Sequence, residues 1–260
     1  MIALIDADSL FYLSCYKLDD PTFIEKCGLS NKDSDTIIES LAEIGADRLE
    51  TMLNDILIDI TNDENKIEIS AVEIYVTHCK NSIRKEISKE YKSNRQPNEI
   101  VNCLRRMYIA KNNAIYSDTL EADDLIAIRA RELGEFNCVI ATMDKDLTQI
   151  GGFIYNFYRK PSLKDEEGNE IEVYKRNGLS YISKFDGQRF LAKQLISGDS
   201  ADKIGGLPKY GAVKAAKIID PITNTFGLIK AVVAEYKKVY EEDYIVHLQT
   251  NFRLLYLGSY

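Results

Sequence analysis

Along residues 36–60, apolar side chains recur every three to five positions: Ile37, Leu41, Ile44, Leu49, Leu53, Ile56 and Ile60. That spacing predicts one long amphipathic helix. Residues 1–7, 71–77, 138–142 and 153–158 follow a different rhythm, as short apolar runs closed by acidic or turn-forming residues. They read as buried strands. Helical patterns at 9–18 and 125–133 alternate with these runs, so the expected fold class is α/β with a mainly parallel central sheet flanked by helices. Residues 159–176 hold Pro161 and Glu166-Glu167-Gly168-Asn169 between two Tyr-rich runs, which predicts a β-hairpin excursion. From residue 186 the pattern is helical almost to the end. A domain boundary is therefore expected near Ser183, dividing 1–183 from an all-helical 184–260.

Composition narrows the class. The 260 residues are 45% hydrophobic and 28% charged, with 14 Gly and 5 Pro, ordinary values for a soluble folded chain and far from a collagen, a coiled coil or a disordered tail. Five cysteines form an odd, widely spaced set without a Cys-x-x-Cys pair, so neither a disulfide framework nor a zinc site is expected, and a reducing cytoplasm is the natural compartment. No stretch approaches the roughly 20 apolar residues of a membrane span. The start of the chain has no basic region before its apolar run, which argues against a signal peptide. Taken alone, the net charge of −8 argues against an anionic partner.

The placement of charge reverses that inference. Acids recur where strands should stop: Asp6, then Glu121, Asp123 and Asp124 at a helix start, Asp144 and Asp146, and later Asp199 and Asp202. In an open α/β sheet the carboxyl ends of the strands line one crevice, so these side chains would converge. Two like charges about 4 Å apart repel by about 4 kcal/mol at an effective dielectric of 20, and eight carboxylates in one crevice need cations. Oxygen donors favour Mg²⁺ or Mn²⁺, and with only His78 and His247 in the chain zinc sites and His-based triads have little to build on. The helix macrodipole accounts for any single cluster, but less well for all of them together.

Between the second strand and the central acids, residues 80–112 carry nine bases (Lys80, Arg84, Lys85, Lys89, Lys92, Arg95, Arg105, Arg106, Lys111) and three acids (Glu86, Glu90, Glu99). This is a local footprint for a polyphosphate, with Tyr91 and Tyr108 interleaved as candidates for base stacking. Residues 198–211, GDSADKIGGLPKYG, place Gly205, Gly206 and Gly211 around Pro208, a turn whose backbone N–H groups can approach an anion at a helix start. Lys203, Lys209, Lys214 and Lys217 add charge there.

These segments resemble the flap endonuclease and 5′-to-3′ exonuclease superfamily, with its PIN-like domain and helix-three-turn-helix duplex-binding motif. LIDADSLFY looks like its first motif, IRKEISKEYKSNR its arch, LEADDLIA its central acidic motif, TMDKDL the next, and GDSADKIGGLPKYG its DNA-anchoring loop. They stand in the family's order and cover roughly residues 1–220. The short chain is most like free-standing bacteriophage 5′ nucleases.

The resemblance implies two divalent ions, with Asp6, Glu121, Asp123 and Asp124 at the first and Asp144, Asp146, Asp199 and Asp202 at the second. It implies Arg84 and Lys92 as catalytic arch residues against the scissile phosphate, with Arg95 beside them. For the turn it implies DNA contacts from Lys203, Gly205, Gly206, Lys209, Gly211 and Lys214, and a potassium ion on backbone carbonyls. The implied substrates are DNA with 5′ ends or flaps and RNA·DNA hybrids, acted on by a monomer that meets replication proteins. Where the family usually has an aspartate after the second strand, VTHCKNSIR offers His78 or Thr77, so His78 is either an ion ligand or a loop histidine. Two other readings stay open: a catalytically impaired DNA-binding relative, suggested by His78, and a phosphohydrolase with Asp6 as nucleophile, suggested by Asp6-Ala7-Asp8.

Overall fold

The computed structural model describes residues 1–258 except 66, 80, 81, 113, 160–162, 165–169 and 172–175, and of 158, 159, 163, 164, 170, 171, 176 and 177 it describes the backbone alone. The centre is a five-stranded sheet. Strand β1 (Ile2–Asp6) lies between β2 (Ala71–Tyr75) and β3 (Cys138–Thr142), parallel to both, and β4 (Gly152–Arg159) continues the sheet parallel to β3. Two short strands, β5 (Leu163–Lys164) and β6 (Glu170–Ile171), pair antiparallel as the expected excursion. Pro161 and the 166–169 turn lie outside the described residues. β7 (Arg176–Ile182) then returns antiparallel to β4, giving the order β2-β1-β3-β4-β7.

Helices cover both faces. On one side α1 (Ala7–Ser14), α3 (Ser34–Thr61) and α5 (Glu99–Lys111) bury Phe11, Leu41, Leu49, Ile60 and Leu104 against the sheet. α2 (Pro21–Lys26) precedes α3 and starts at Asp20, whose side chain accepts from Thr22 N at 2.8 Å with Pro21 as the first helical residue, an arrangement that leaves few N–H groups unsatisfied. On the other side α6 (Ala122–Leu133) packs Ile126 and Ala127 on Leu4 and Ile140. Each such fully buried Leu or Ile contributes about 1.5–3 kcal/mol. The alternation of pattern predicted this doubly covered, mainly parallel sheet.

The segment expected as an arch is a short helix α4 (Ile83–Ile87), a run of turns, and α5; Lys80, at its expected edge, is outside the described residues. Beyond the sheet, α7 (Lys184–Ser197), α8 (Ala212–Ile219), α9 (Thr225–Tyr240) and α10 (Tyr244–Leu255) enclose a second core of Leu191, Leu195, Ile219, Leu228, Val232 and Tyr236. Between α7 and α8, β8 (Gly198–Asp199) and β9 (Ile204–Gly205) form a tight antiparallel pair. Gly198 (φ +75°) and Gly206 stand back to back there: a Cβ on Gly206 would lie 2.2 Å from the Ser197 carbonyl carbon. Among the described residues no helix is long and apolar enough to cross a membrane.

Candidate active site

β1 and β3 end side by side, and the chain leaves each through an acid. Asp6 accepts from Asp8 N at 3.2 Å, capping α1, and from Thr142 Oγ1 at 2.7 Å. Asp144 opens a 3₁₀ turn by accepting from Asp146 N at 2.8 Å. Both acids therefore have the local capping role that helix starts favour, yet neither forms an ion pair with a described lysine or arginine. Burial first, then Asp8, pushes the Asp6 carboxyl up to about 8. Burial, then Asp146, pushes Asp144 up to about 6. Carboxylates shifted this way are short of positive charge.

Asp6, Asp123 and Asp144 line one cleft of about 620 Å³, together with Asp8 and Glu121. Lys85, Lys92, Arg95 and Arg105 line the same cleft. Lys92 takes a left-handed backbone (φ +50°), held by its N–H on the Asp202 carbonyl oxygen at 3.1 Å, and its Nζ donates to Glu121. Arg95 Nη2 donates to Asp202 at 2.7 Å. Glu121 also accepts from Ser82, from Tyr91 Oη at 2.9 Å and from Arg84 at 3.4 Å. Burial opposes its charge, but Lys92 and then Arg84 outweigh burial and hold it below the usual carboxylate range.

Of the other expected site residues, Arg84 does not line the cleft. It is 1% exposed, forks onto Asp124 at 2.8 and 2.6 Å, and donates from Nε to the Leu254 carbonyl at 3.0 Å. Asp124 also accepts from Gly258 N at 2.8 Å. Asp146 and Asp199 adjoin the cleft wall rather than line it, and are joined by Lys145 and Gln194. His78 lies edge-on to Tyr116, ring centroids 5.5 Å apart, while its neighbours Thr77 and Cys79 line the cleft. Tyr91 and Tyr108 cannot stack on bases: Tyr91 is 2% exposed inside the second core, and Tyr108 packs edge-on to Phe11.

The turn before α8 is exposed at Lys203, Gly205, Lys209 and Gly211, and the first turn of α8 is exposed at Lys214. Lys203 and Lys209 have positive φ, +56° and +68°. Gly211 caps α8 without a side chain, leaving first-turn N–H groups open for an anion. Gly205 and Gly211 meet nothing within 4 Å, so at these two positions sterics do not demand glycine.

Sequence reasoning offered Thr77 only as an alternative to His78 and missed what it does: its N–H donates to Asp8 at 3.1 Å and its Oγ1 accepts from Ala122 N at 2.9 Å, capping α6. It also missed the pairing of Arg105 with Asp8 at 3.4 Å and the place of Gln194. A hydroxyl two residues past the end of β2, at the place of the family's aspartate, was the signal for Thr77; the others carried none.

The acids lining the cleft offer carboxylate oxygens, which suit a hard divalent ion. Among the described residues no three Asp, Glu, His or Cys side chains are yet drawn together closely enough to hold one. The chemistry of the donor set fits, since buried Asp6 and half-buried Asp144 form no ion pair with a described lysine or arginine.

Residues 1–178 match the family model for the 5′-3′ exonuclease, N-terminal resolvase-like domain. Flap endonuclease Xni of Shewanella halifaxensis (strain HAW-EB4) is 29% identical over 192 residues, 66% of this chain and 73% of that protein. DNA polymerase I of Rhizobium leguminosarum is 26% identical over 203 residues, 75% of this chain, and the chain spans only 19% of that relative's length. A bacteriophage T5 flap endonuclease structure, a pseudo-enzyme–product complex with DNA and metal ions, aligns with a TM-score of 0.59 at 15% identity, covering 100% of this chain and 90% of that one. The T5 protein co-crystallised with metal ions gives 0.56 at 16%, again over 100% of this chain and 90% of that one; these two likenesses show a shared fold. With more than half its length matched by the family model, this chain belongs to the 5′-3′ exonuclease N-terminal resolvase-like domain family.

Proposed function

We propose that this protein is a divalent-metal-dependent, structure-specific 5′ nuclease that hydrolyses phosphodiester bonds at the 5′ ends and flaps of DNA, and in RNA·DNA hybrids, leaving 5′-phosphates. The observation that carries this reading is the cleft lined by Asp6, Asp123 and Asp144 together with Lys85, Lys92, Arg95 and Arg105. Acids alone would repel a phosphodiester, and cations alone would bind it without activating water. Two Mg²⁺ or Mn²⁺ ions, when bound, supply a water of lowered pKa and charge for the leaving 3′ oxygen.

Asp6, Asp123 and Asp144 are the residues that would hold an ion in the cleft, with Glu121 and Asp124 behind them, and Asp146, Asp199 and Asp202 would serve the second. Lys92 and Arg95 line the wall where a phosphate enters, and transfer of their charge from Glu121 and Asp202 to the phosphate offsets the negative charge developing there. Arg84 braces the acids from below. The turn with Lys203, Gly205, Gly206, Lys209, Gly211 and Lys214 would grip the duplex backbone without reading bases, with K⁺ on its carbonyls. Action as a monomer in the cytoplasm, alongside replication proteins, completes the reading.

The test is incubation of a 5′-labelled duplex, a 5′-flap and an RNA·DNA hybrid with Mg²⁺, Mn²⁺ or a chelator. Cleavage with either ion, to 5′-phosphate products, and none with chelator is the expected result. Turnover of a small aryl phosphate through a phospho-Asp6 without DNA cleavage, or DNA binding without any cleavage, would overturn it.

A further inference from the structure

Asp146 and Asp199 are already bridged by a cation that belongs to the protein. Lys145 Nζ bonds Asp146 Oδ1 at 3.0 Å and Asp199 Oδ2 at 2.5 Å. Gln194, 6% exposed, donates from Nε2 to the same two oxygens at 2.7 and 3.2 Å. Its Oε1 is buried without a hydrogen-bond partner. An amide seated on two carboxylates with one end unmatched marks a group whose partner set is incomplete. Access separates the two bridging side chains: Lys145 is 58% exposed and reaches in from solvent, whereas Gln194 is fixed in the interior.

We propose that Lys145 is a resident counterion for the Asp146–Asp199 pair, with Gln194 positioning both carboxylates, and that Lys145 thereby sets the affinity of the second divalent ion. The identity of that ion rests on the nuclease reading. Before an ion arrives, the ammonium and the Gln194 amide together hold the two close acids in register. An incoming ion has to displace that ammonium, while at Asp6 and Asp144 no described lysine or arginine forms an ion pair. The two ions should therefore bind unequally, with Lys145 acting on Asp146 and Asp199 while Arg95 and Lys92 hold Asp202.

Mn²⁺ binding to the full chain without DNA, followed by the electron paramagnetic resonance of free Mn²⁺, tests this in wild type, Lys145→Met, Lys145→Arg and Asp123→Asn. Wild type should bind one ion tightly and one weakly. Lys145→Met should tighten the weaker ion by on the order of tenfold and leave the tighter one in place, Lys145→Arg should behave as wild type, and Asp123→Asn should weaken only the tighter ion. Lys145→Gln provides a second charge-free variant should the Met form fail to fold. Two ions bound with the weaker affinity unchanged, or lowered, in the charge-free variants would overturn the counterion role and leave the nuclease reading standing. No Mn²⁺ bound by wild type or any variant would overturn both.

Discussion

Arg84 shows how one residue can carry a role its position in the chain does not announce. Within IRKEISKEYKSNR it reads as a phosphate contact, but its guanidinium is buried among Glu121, Asp123, Asp124 and the Leu254 carbonyl. The last partner is 170 residues away in sequence, a contact no local pattern encodes. Arg84→Met would leave buried acids without their cation, and a loss of about 3–5 kcal/mol is expected, read as a lower Tm and urea midpoint. An unchanged Tm with lost cleavage would return Arg84 to the phosphate.

Asp6 gives a pH dependence of opposite sense to the usual acid. Its folded pKa of about 8 lies above the ordinary aspartate value of 3.8, so between these values the folded state holds a proton that the unfolded state has released. The stability that Asp6 contributes is full below about pH 4 and is lost as the pH rises toward 8. Asp144, at about 6, adds the same sign over a narrower window. A divalent ion binds the ionised carboxylates, so Mg²⁺ should raise the Tm more at pH 8 than at pH 5. Equal shifts at both pH values would contradict this.

At the scale of elements, the periodic ones were legible and the irregular ones were not. α3 spans Ser34–Thr61 where the stripe predicted 36–60, because a continuous apolar face fixes a helix to within a residue or two. β2 ends at Tyr75 rather than 77, since the backbone of Thr77 turns to Asp8 and its hydroxyl caps α6. α2 is six residues long and too short to show a stripe, although Asp20-Pro21 marked its start. β7 lies almost wholly in 177–182, where the pattern predicts no element, because an antiparallel edge strand carrying Gly178 lacks the apolar run of a buried strand.

The glycines of the anchor turn looked alike in sequence, and the structure separates them. Gly206→Ala would force a Cβ within 2.2 Å of the Ser197 backbone, and a cost of about 3 kcal/mol or more is expected, whereas Gly205→Ala, which meets nothing within 4 Å, should stay within about 0.5 kcal/mol. Thermal melts of the two variants distinguish them, and equal destabilisation would contradict the geometry.

For the whole molecule, net charge misleads and local charge informs. The chain carries −8, yet the basic segment folds onto its acids, so Lys92 and Arg95 already rest on Glu121 and Asp202 before any phosphate is present. Convergence of Asp6, Asp123 and Asp144 followed from strand ends and could be read from sequence. Closure by the basic segment could not, because it depends on packing between residues 29 to 107 positions apart. The two cores are tied the same way, through Leu257 N on Gln149 at 3.0 Å and Gly258 N on Asp124 at 2.8 Å.

The most direct measurement of the central claim is single-turnover cleavage of a 5′-flap by Asp123→Asn in Mg²⁺, with flap binding measured in parallel. Cleavage should fall by about a hundredfold or more while binding persists through the lysine-bearing turn. Cleavage at the wild-type rate would contradict the account.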